Sequence, residues 1–464
     1  MQQKNTVIAG ALLYASISCA LLWPSQDAAA QIGSRFPSER KVVIDPVTGT
    51  PLTFLTSQAK GDSKIYQTHP QWTADGQWLV FRSNRVAGEA MAVHEATGVL
   101  VQVTEGGYAG MLNLGQSSQT LYFLRPVPGE KPADGKPSPR AMQAVVVDLA
   151  TLFADSAAGK LQPAAHYQRV IGELPAELEA GGDSALDADE QWLYFRVGAK
   201  QSAPHLPPGS KIEAAFGPRG MGAGPTGIGK ISVKTGEFKH VVSVPFQVGH
   251  IQTNTWKPGE LIFSWETGGK SPQRTWTVQS DGSGLRPLYP ESSHEWVTHE
   301  AVISKDEVAL AIMGHRPIPG VQVAGPADTE VGGANPGQEA AWGNAGTREK
   351  PTGLAIVNLR TREMTIAGQT PSGSGLWHVH GSSDGRWAVG DDFSRSIYLI
   401  DRKSREMMLL STGHKTTARD HPHPTFSPDG KKIQIQSAML AEDGKSMNIC
   451  IVPVPESWLQ GQAQ

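Results

Sequence analysis

Residues 421–435 read His421-Pro422-His423-Pro424-Thr425-Phe426-Ser427-Pro428-Asp429-Gly430-Lys431-Lys432-Ile433-Gln434-Ile435. The second half is a Ser-Pro-Asp-Gly turn that runs into an apolar strand. Glycine takes a positive φ at little cost, and aspartate accepts hydrogen bonds from the backbone that follows it. The first half, two histidines around a proline, has no part in making a turn. The stretch therefore joins a generic β repeat to a specific cluster of imidazoles.

The repeat recurs along the chain. Thr73-Ala74-Asp75-Gly76 precedes Gln77-Trp78-Leu79-Val80-Phe81, and Leu114-Gly115-Gln116-Ser117-Ser118 precedes Thr120-Leu121-Tyr122-Phe123. Asp187-Ala188-Asp189-Glu190 precedes Gln191-Trp192-Leu193-Tyr194-Phe195, and Trp256-Lys257-Pro258-Gly259 precedes Glu260-Leu261-Ile262-Phe263. Ser304-Lys305-Asp306-Glu307, Ser383-Asp384-Gly385 and Ser427-Pro428-Asp429-Gly430 open three more such units. Seven turn-and-strand units predict an all-β chain folded as a seven-bladed β-propeller. Further turns at Glu95–Gly98, Lys234–Gly236, Ser280–Gly282 and Asp401–Lys403 each follow an expected third strand. The early strand Lys41-Val42-Val43-Ile44 is expected to complete the last blade, because ring closure removes exposed sheet edges. No linker divides the repeats, so residues 31–464 read as a single domain. Insertions near 126–142, 200–228 and 316–350 are rich in Pro, Gly or Ala and read as surface loops. Their glycines lack the Walker spacing of a phosphate loop.

Charged residues are 18 % of the 464, the net charge is −3, and no basic stripe argues for nucleic acid. Residues 1–30 read as an export signal: Lys4, an apolar run from Val7 to Trp23, then Ala28-Ala29-Ala30. Cys19 lies inside that run, but Ser16-Ile17-Ser18 makes a poor lipidation site. Cleavage after Ala30 would leave Cys450 as the one cysteine, so no internal disulfide is expected. No later stretch is long and apolar enough for a transmembrane helix. The expected location is periplasmic or secreted.

Histidines gather in the later blades. His250, His299, the pair His378 and His380, and the pair His421 and His423 each stand just before a turn into a repeated strand. Equivalent positions of different blades converge at one end of a propeller's channel. Imidazoles collected there suit a divalent transition metal. His378, His421 and His423 are the expected ligands, with His380 a fourth ligand or a neighbour. His299 is a candidate base beside Glu300. Arg274 is a candidate grip for a carboxylate.

The run from Gly249 to Arg286, Thr298-His299-Glu300, Ser382–Trp387 with Gly390-Asp391, and His421 to Gly430 resemble oligogalacturonate lyases. The early Asp45-Pro46-Val47-Thr48-Gly49 is similar as well. The resemblance covers most of 31–464 and is closest in the C-terminal half. It implies a seven-bladed propeller that binds Mn²⁺, or another divalent metal, through histidines and a glutamine. It further implies β-elimination on uronate-containing oligosaccharides. His378, His421 and His423 match the metal histidines, His299 the proton-abstracting base, and Arg274 an arginine beside the substrate. The glutamine would precede His421, where the chain reads Thr416-Thr417-Ala418-Arg419-Asp420. His380 or water is left to fill that place. The alternatives are a non-catalytic propeller that binds proteins, and a metal-dependent glycan hydrolase or epimerase. A hydrolase would call for a carboxylate pair at defined separation, which the sequence does not display.

Overall fold

A computed structural model describes residues 30–460, apart from 130–138, 182, 218–219, 268–270, 292–294, 315–351 and 369–375. Residues 1–29 of the expected export signal, Cys19 among them, lie outside the described residues. So do 130–138 of the first insertion and the whole of the third.

The repeated strands fold as expected into seven antiparallel sheets of four or five strands. The first strands of successive sheets include Ala109–Leu114, Ser184–Leu186, Val248–Thr253, Glu295–Ser304, Val379–Gly381 and Thr425–Phe426. Each of these touches the next, which makes them the inner wall of a ring. Ser63–Lys64 plays that part in the first blade and meets the strands of the seventh.

The Asp-Gly turns close through one repeated network. In the sixth blade, Ser382 Oγ donates to Asp384 Oδ1 at 2.5 Å, and the same oxygen accepts from Arg386 N at 3.0 Å. Trp387 N donates to Ser382 Oγ at 2.9 Å. Thr73 with Asp75 and Ser427 with Asp429 repeat the pattern. The glycines that finish these turns, Gly76, Gly385 and Gly430, have φ of 68°, 74° and 68°. A side chain at that φ costs roughly 1–2 kcal/mol, which explains glycine there.

Both ends of the chain build the last blade. Asn448–Pro453 pairs with Pro51–Phe54, which pairs in turn with Lys41–Ile44. Upstream of these, Arg35–Phe36 pairs with Leu100–Gln102 of the first blade. The N-terminal segment thus straps the seventh blade to the first.

The core lies between neighbouring blades. Val80, Leu121, Phe123 and Val145 fill the seam of the first and second, while Phe54, Val389, Leu399, Ile433 and Cys450 fill that of the sixth and seventh. Each such side chain contributes roughly 1.5–3 kcal/mol on burial. Cys450 is fully buried, and desolvation pushes its thiol well above the ordinary value, so it acts as a small apolar side chain.

One insertion and one inter-strand connection carry regular structure that the sequence reading did not assign. Ala223–Ser232 is a ten-residue strand of the third blade, so the expected 200–228 loop ends at residue 222. The turn after the third strand of the second blade extends into a helix, Leu149–Ala158, capped by Asp148 and stopped by Gly159 at φ 67°. Its Phe153 stacks on Trp78 of the first blade at 4.0 Å. Among the described residues no helix is long and apolar enough to cross a membrane.

Candidate metal centre

The inner strands of the fourth and fifth blades are interrupted at matching points. Pairing shifts between Gly249 and Gln252, and again between Thr298 and Ala301. His250 and His299 occupy these bulges with φ of 50° and 54°, and His423 reaches 52° in the seventh blade. A β-bulge turns a side chain away from the regular alternation. Left-handed backbone at a residue other than glycine costs of order 1–3 kcal/mol and persists where the surroundings enforce it. Here it brings three imidazoles toward one end of the channel.

His378, Asp391 and His421 form the tightest donor cluster: one ligand atom from each lies within 4.8 Å of the others. Asp391 ends the second strand of the sixth blade. Its Oδ1 accepts from the backbone N–H of His378 at 2.6 Å. Its Oδ2 lies 3.2 Å from His378 Nδ1 and 3.4 Å from His421 Nδ1. The His423 ring packs on His378 with centroids 3.7 Å apart, and its Nδ1 is 2.8 Å from Gln67 Oε1. That contact commits Nδ1 as donor and turns Nε2 toward the cluster, 3.0 Å from Asp420 Oδ2.

The electrostatics suit a cation. Burial, joined by the His423 and His421 rings, holds His378 well below its ordinary 6.5, so it is neutral. Burial lowers His421 too, against the pull of Asp391. For Asp391, burial disfavours charge, but the His421 and His423 rings outweigh it and lower its pKa. Asp420 is lowered as well: burial opposes its charge, and His423 and His378 more than compensate. His421 Nδ1 and His423 Nε2 are buried and lack a hydrogen bond of good geometry. Imidazoles with unmet nitrogens around a carboxylate are a donor set for manganese, iron, nickel or zinc.

His380 does not join this cluster. Its ring lies beside Phe426, 6.3 Å between centroids, and lines a cavity of about 270 Å³ with Gln67, Thr425 and Phe426. The reason is geometric. His380 lies within the inner strand Val379–Gly381, where its Nδ1 accepts from the Phe426 backbone N–H at 3.5 Å, while His378 stands before that strand and is held by Asp391. His421 and His423 share the spacing of His378 and His380, but Pro422 and the φ of 52° at His423 break the extension and fold both rings inward. Directly before His421, where a glutamine was expected nearby, stands Asp420, and it faces His423 from the side opposite Gln67.

Beside the cluster, the His299 ring lies 4.0 Å from His378 and 4.3 Å from Trp377. Its Nδ1 is 2.6 Å from the Trp377 carbonyl and so carries the hydrogen. Nε2 is then the basic nitrogen. Burial first, then the competing His378 ring and the Arg274 charge, hold His299 well below 6.5 and keep it neutral.

Arg274 is buried against carboxylates of the chain itself. Its Nε is 3.1 Å from Glu300 Oε2, and its Nη2 is 3.5 Å from Glu266 Oε2. His250 Nε2 lies 3.0 Å from the same Glu266 oxygen. Burial disfavours the His250 cation, but Glu266 outweighs it and raises its pKa. Glu300, read beside His299 in sequence, therefore serves Arg274. Tyr66 stands between the two halves, with its ring edge-on to His250 at 5.3 Å and His423 at 5.1 Å. Desolvation first, and then Glu300, raise its phenol well above 10.

Sequence reasoning passed over Asp391, Tyr66 and Gln67 as parts of the site. Asp391 had a local signal, an acid ending the otherwise apolar strand Trp387–Asp391. Gln67 precedes the Thr73–Gly76 turn by the interval that separates His421 from Ser427, but neither Tyr66 nor Gln67 is a histidine, the residue type that drew attention to that point of the other repeats.

No protein-family model matches the chain, and no curated protein matches it. Solved structures do. An oligogalacturonate lyase in complex with manganese is 17 % identical, with a TM-score of 0.65, covering 92 % of this chain and 99 % of its own. An oligogalacturonate lyase from Vibrio parahaemolyticus is 19 % identical, with a TM-score of 0.66, covering 92 % and 100 %. The chain shares the seven-bladed fold of these lyases over nearly its whole described length.

Proposed function

We propose that this protein is a divalent-metal-assisted lyase that cleaves uronate-containing oligosaccharides by β-elimination. The observation that carries the reading is the neighbourhood of two things: the His378, Asp391 and His421 cluster with its unmet nitrogens, and a neutral His299 whose Nε2 is free to accept a proton. The fold shared with a manganese-bound oligogalacturonate lyase supports manganese as the metal and uronate as the substrate class. His378, Asp391 and His421, with His423, would hold the ion; other divalent metals accept the same donors.

The C5 proton of a uronate is weakly acidic because the adjacent carboxylate already carries charge. When bound, the ion supplies Lewis acidity that stabilises the charge developing there. His299 Nε2 takes the C5 proton, and the hydrogen bond from Nδ1 to the Trp377 carbonyl keeps the ring in the correct tautomer. The electron pair of that C–H bond becomes the C4–C5 double bond, and the glycosidic oxygen leaves C4 and is protonated from solvent. Arg274 would meet the substrate carboxylate with the N–H groups that Glu300 and Glu266 leave uncommitted. The basic and apolar segments within residues 1–30 support export, to a periplasm or the medium.

The test is to incubate manganese-loaded protein with several uronate oligosaccharides and follow the absorbance of the 4,5-unsaturated product. Product that vanishes in His299→Ala supports the reading. Metal-loaded protein that yields no such product from any uronate overturns it.

A further inference from the structure

The second and third strands of the sixth blade are joined by Asp392-Phe393-Ser394-Arg395-Ser396, directly after the cluster carboxylate Asp391. The turn is tightly held. Asp392 N donates to Ser396 O, and Arg395 N to Asp392 O, each at 2.9 Å. Ser396 N donates to Asp392 Oδ1 at 2.7 Å. The turn also lies against the site: the Phe393 ring is 5.1 Å from Trp377 and 6.3 Å from His421.

Arg395 sits in this turn with φ of 69°, a conformation that glycine or asparagine would take more readily. Its Nε and Nη1 are buried and have no hydrogen-bond partner among the described residues. Arg362 shares one such buried, unmet nitrogen, its Nε, whereas other arginines hold carboxylates. Arg85 holds Glu39 and Asp62, Arg360 holds Glu260 and Asp306, and Arg274 holds Glu300 and Glu266. A guanidinium with buried, unmet donors is costly. The turn forces a bulky cation into a backbone position that disfavours side chains, and leaves its fork without an acceptor. Burial and the Asp391 and Asp420 charges act on it, which places it in the electrostatic surroundings of the cluster.

We infer that Arg395 is a specificity residue that binds the carboxylate of the uronate unit next to the one cleaved. The inference rests on the lyase reading above and deepens it: Arg274 and the cluster serve the reacting unit, and Arg395 serves its neighbour. The end of the planar guanidinium, Nη1 with Nη2, fits a carboxylate bidentately, whereas a methyl ester at that position offers it no charge. The preferred substrate then carries free carboxylates on successive units.

The experiment compares two uronate trimers, one fully de-esterified and one methyl-esterified only at the unit adjacent to the scissile bond. Wild type, Arg395→Gln and Arg395→Lys are assayed after metal loading, with metal content and Tm recorded for each. Wild type should prefer the free acid by roughly 10- to 100-fold in KM, as expected for loss of one charge-assisted pair. In Arg395→Gln that ratio should fall to near one through KM, and Arg395→Lys should restore part of it. A ratio that Arg395→Gln leaves intact, or a loss confined to kcat on both trimers, overturns the inference. Should wild type produce no unsaturated sugar at all, the lyase reading fails separately. Calorimetry with the saturated uronate dimer then decides on Arg395: weaker binding in Arg395→Gln sustains carboxylate recognition, and equal binding overturns it.

Discussion

Asp391 holds His378 at two points: it accepts the histidine's backbone N–H at 2.6 Å and stands 3.2 Å from its Nδ1. The same carboxylate lies 3.4 Å from His421 Nδ1 on the next blade. One buried acid therefore fixes the backbone before the inner strand of the sixth blade and ties that blade's imidazole to the seventh's. Removing its charge loosens both.

Metal binding should depend on this group. Asp391→Asn, His378→Ala and His421→Ala are each expected to weaken manganese affinity at least 10- to 100-fold, the loss common for groups that hold or orient ligands. His380→Ala should keep the wild-type stoichiometry, because its ring faces the cavity beside Phe426. Elemental analysis after dialysis, with calorimetric titration of the metal-free proteins, checks both halves of this statement.

Base and metal roles should separate. His299→Ala is expected to lower kcat by about 10²- to 10⁴-fold, the usual share of a positioned general base, while retaining its metal. Turnover near the wild-type rate in a variant that still binds metal would assign the proton to another group.

The ring closure should behave as a structural clasp. Phe54 is fully buried in the seam of the sixth and seventh blades, opposite Cys450. Phe54→Ala is expected to cost about 3–5 kcal/mol. Val42, half-exposed on the outermost strand, should cost under about 1 kcal/mol when cut to Ala. Urea unfolding midpoints of the two variants measure the difference.

Stability should fall in acid partly through His414. It is buried between Ser411 Oγ at 2.9 Å and Ser437 Oγ at 2.8 Å, and burial brings its pKa down from 6.5 to about 4. The folded state keeps this ring neutral while the unfolded chain binds a proton. The contribution is therefore present above pH 6.5 and is lost as pH falls through 6.5 toward 4. Its full size is about 3 kcal/mol by linkage. In a His414→Gln variant the acid-side slope of unfolding free energy against pH should flatten over that interval; an unaltered slope would remove His414 from the account.

The propeller was legible because its repeat is local. Ser427, Asp429 and Gly430 make their turn with hydrogen bonds that span no more than five residues, so the residues that need one another are neighbours in the sequence. Strands that follow such turns declare their number, and the early strand at Lys41 declared the closure. The clustering of histidines was legible for a related reason: each stood at the same point of its repeat.

What the repeat does not encode is which donors meet. His378-Val379-His380 and His421-Pro422-His423 have the same spacing, yet three-dimensional structure brings only one ring of the first pair, and both of the second, to the cluster. The backbone at His423 turns left-handed at φ 52°, and no such turn occurs at His380. Asp391 reaches the site because blade pairing sets the end of one strand beside the start of another. Sequence by itself determined the scaffold, since hydrogen bonds a few residues long carry it. Tertiary structure decided which donors meet, since strand pairing within the sixth blade and its packing on the seventh bring His378, Asp391 and His421 within 4.8 Å.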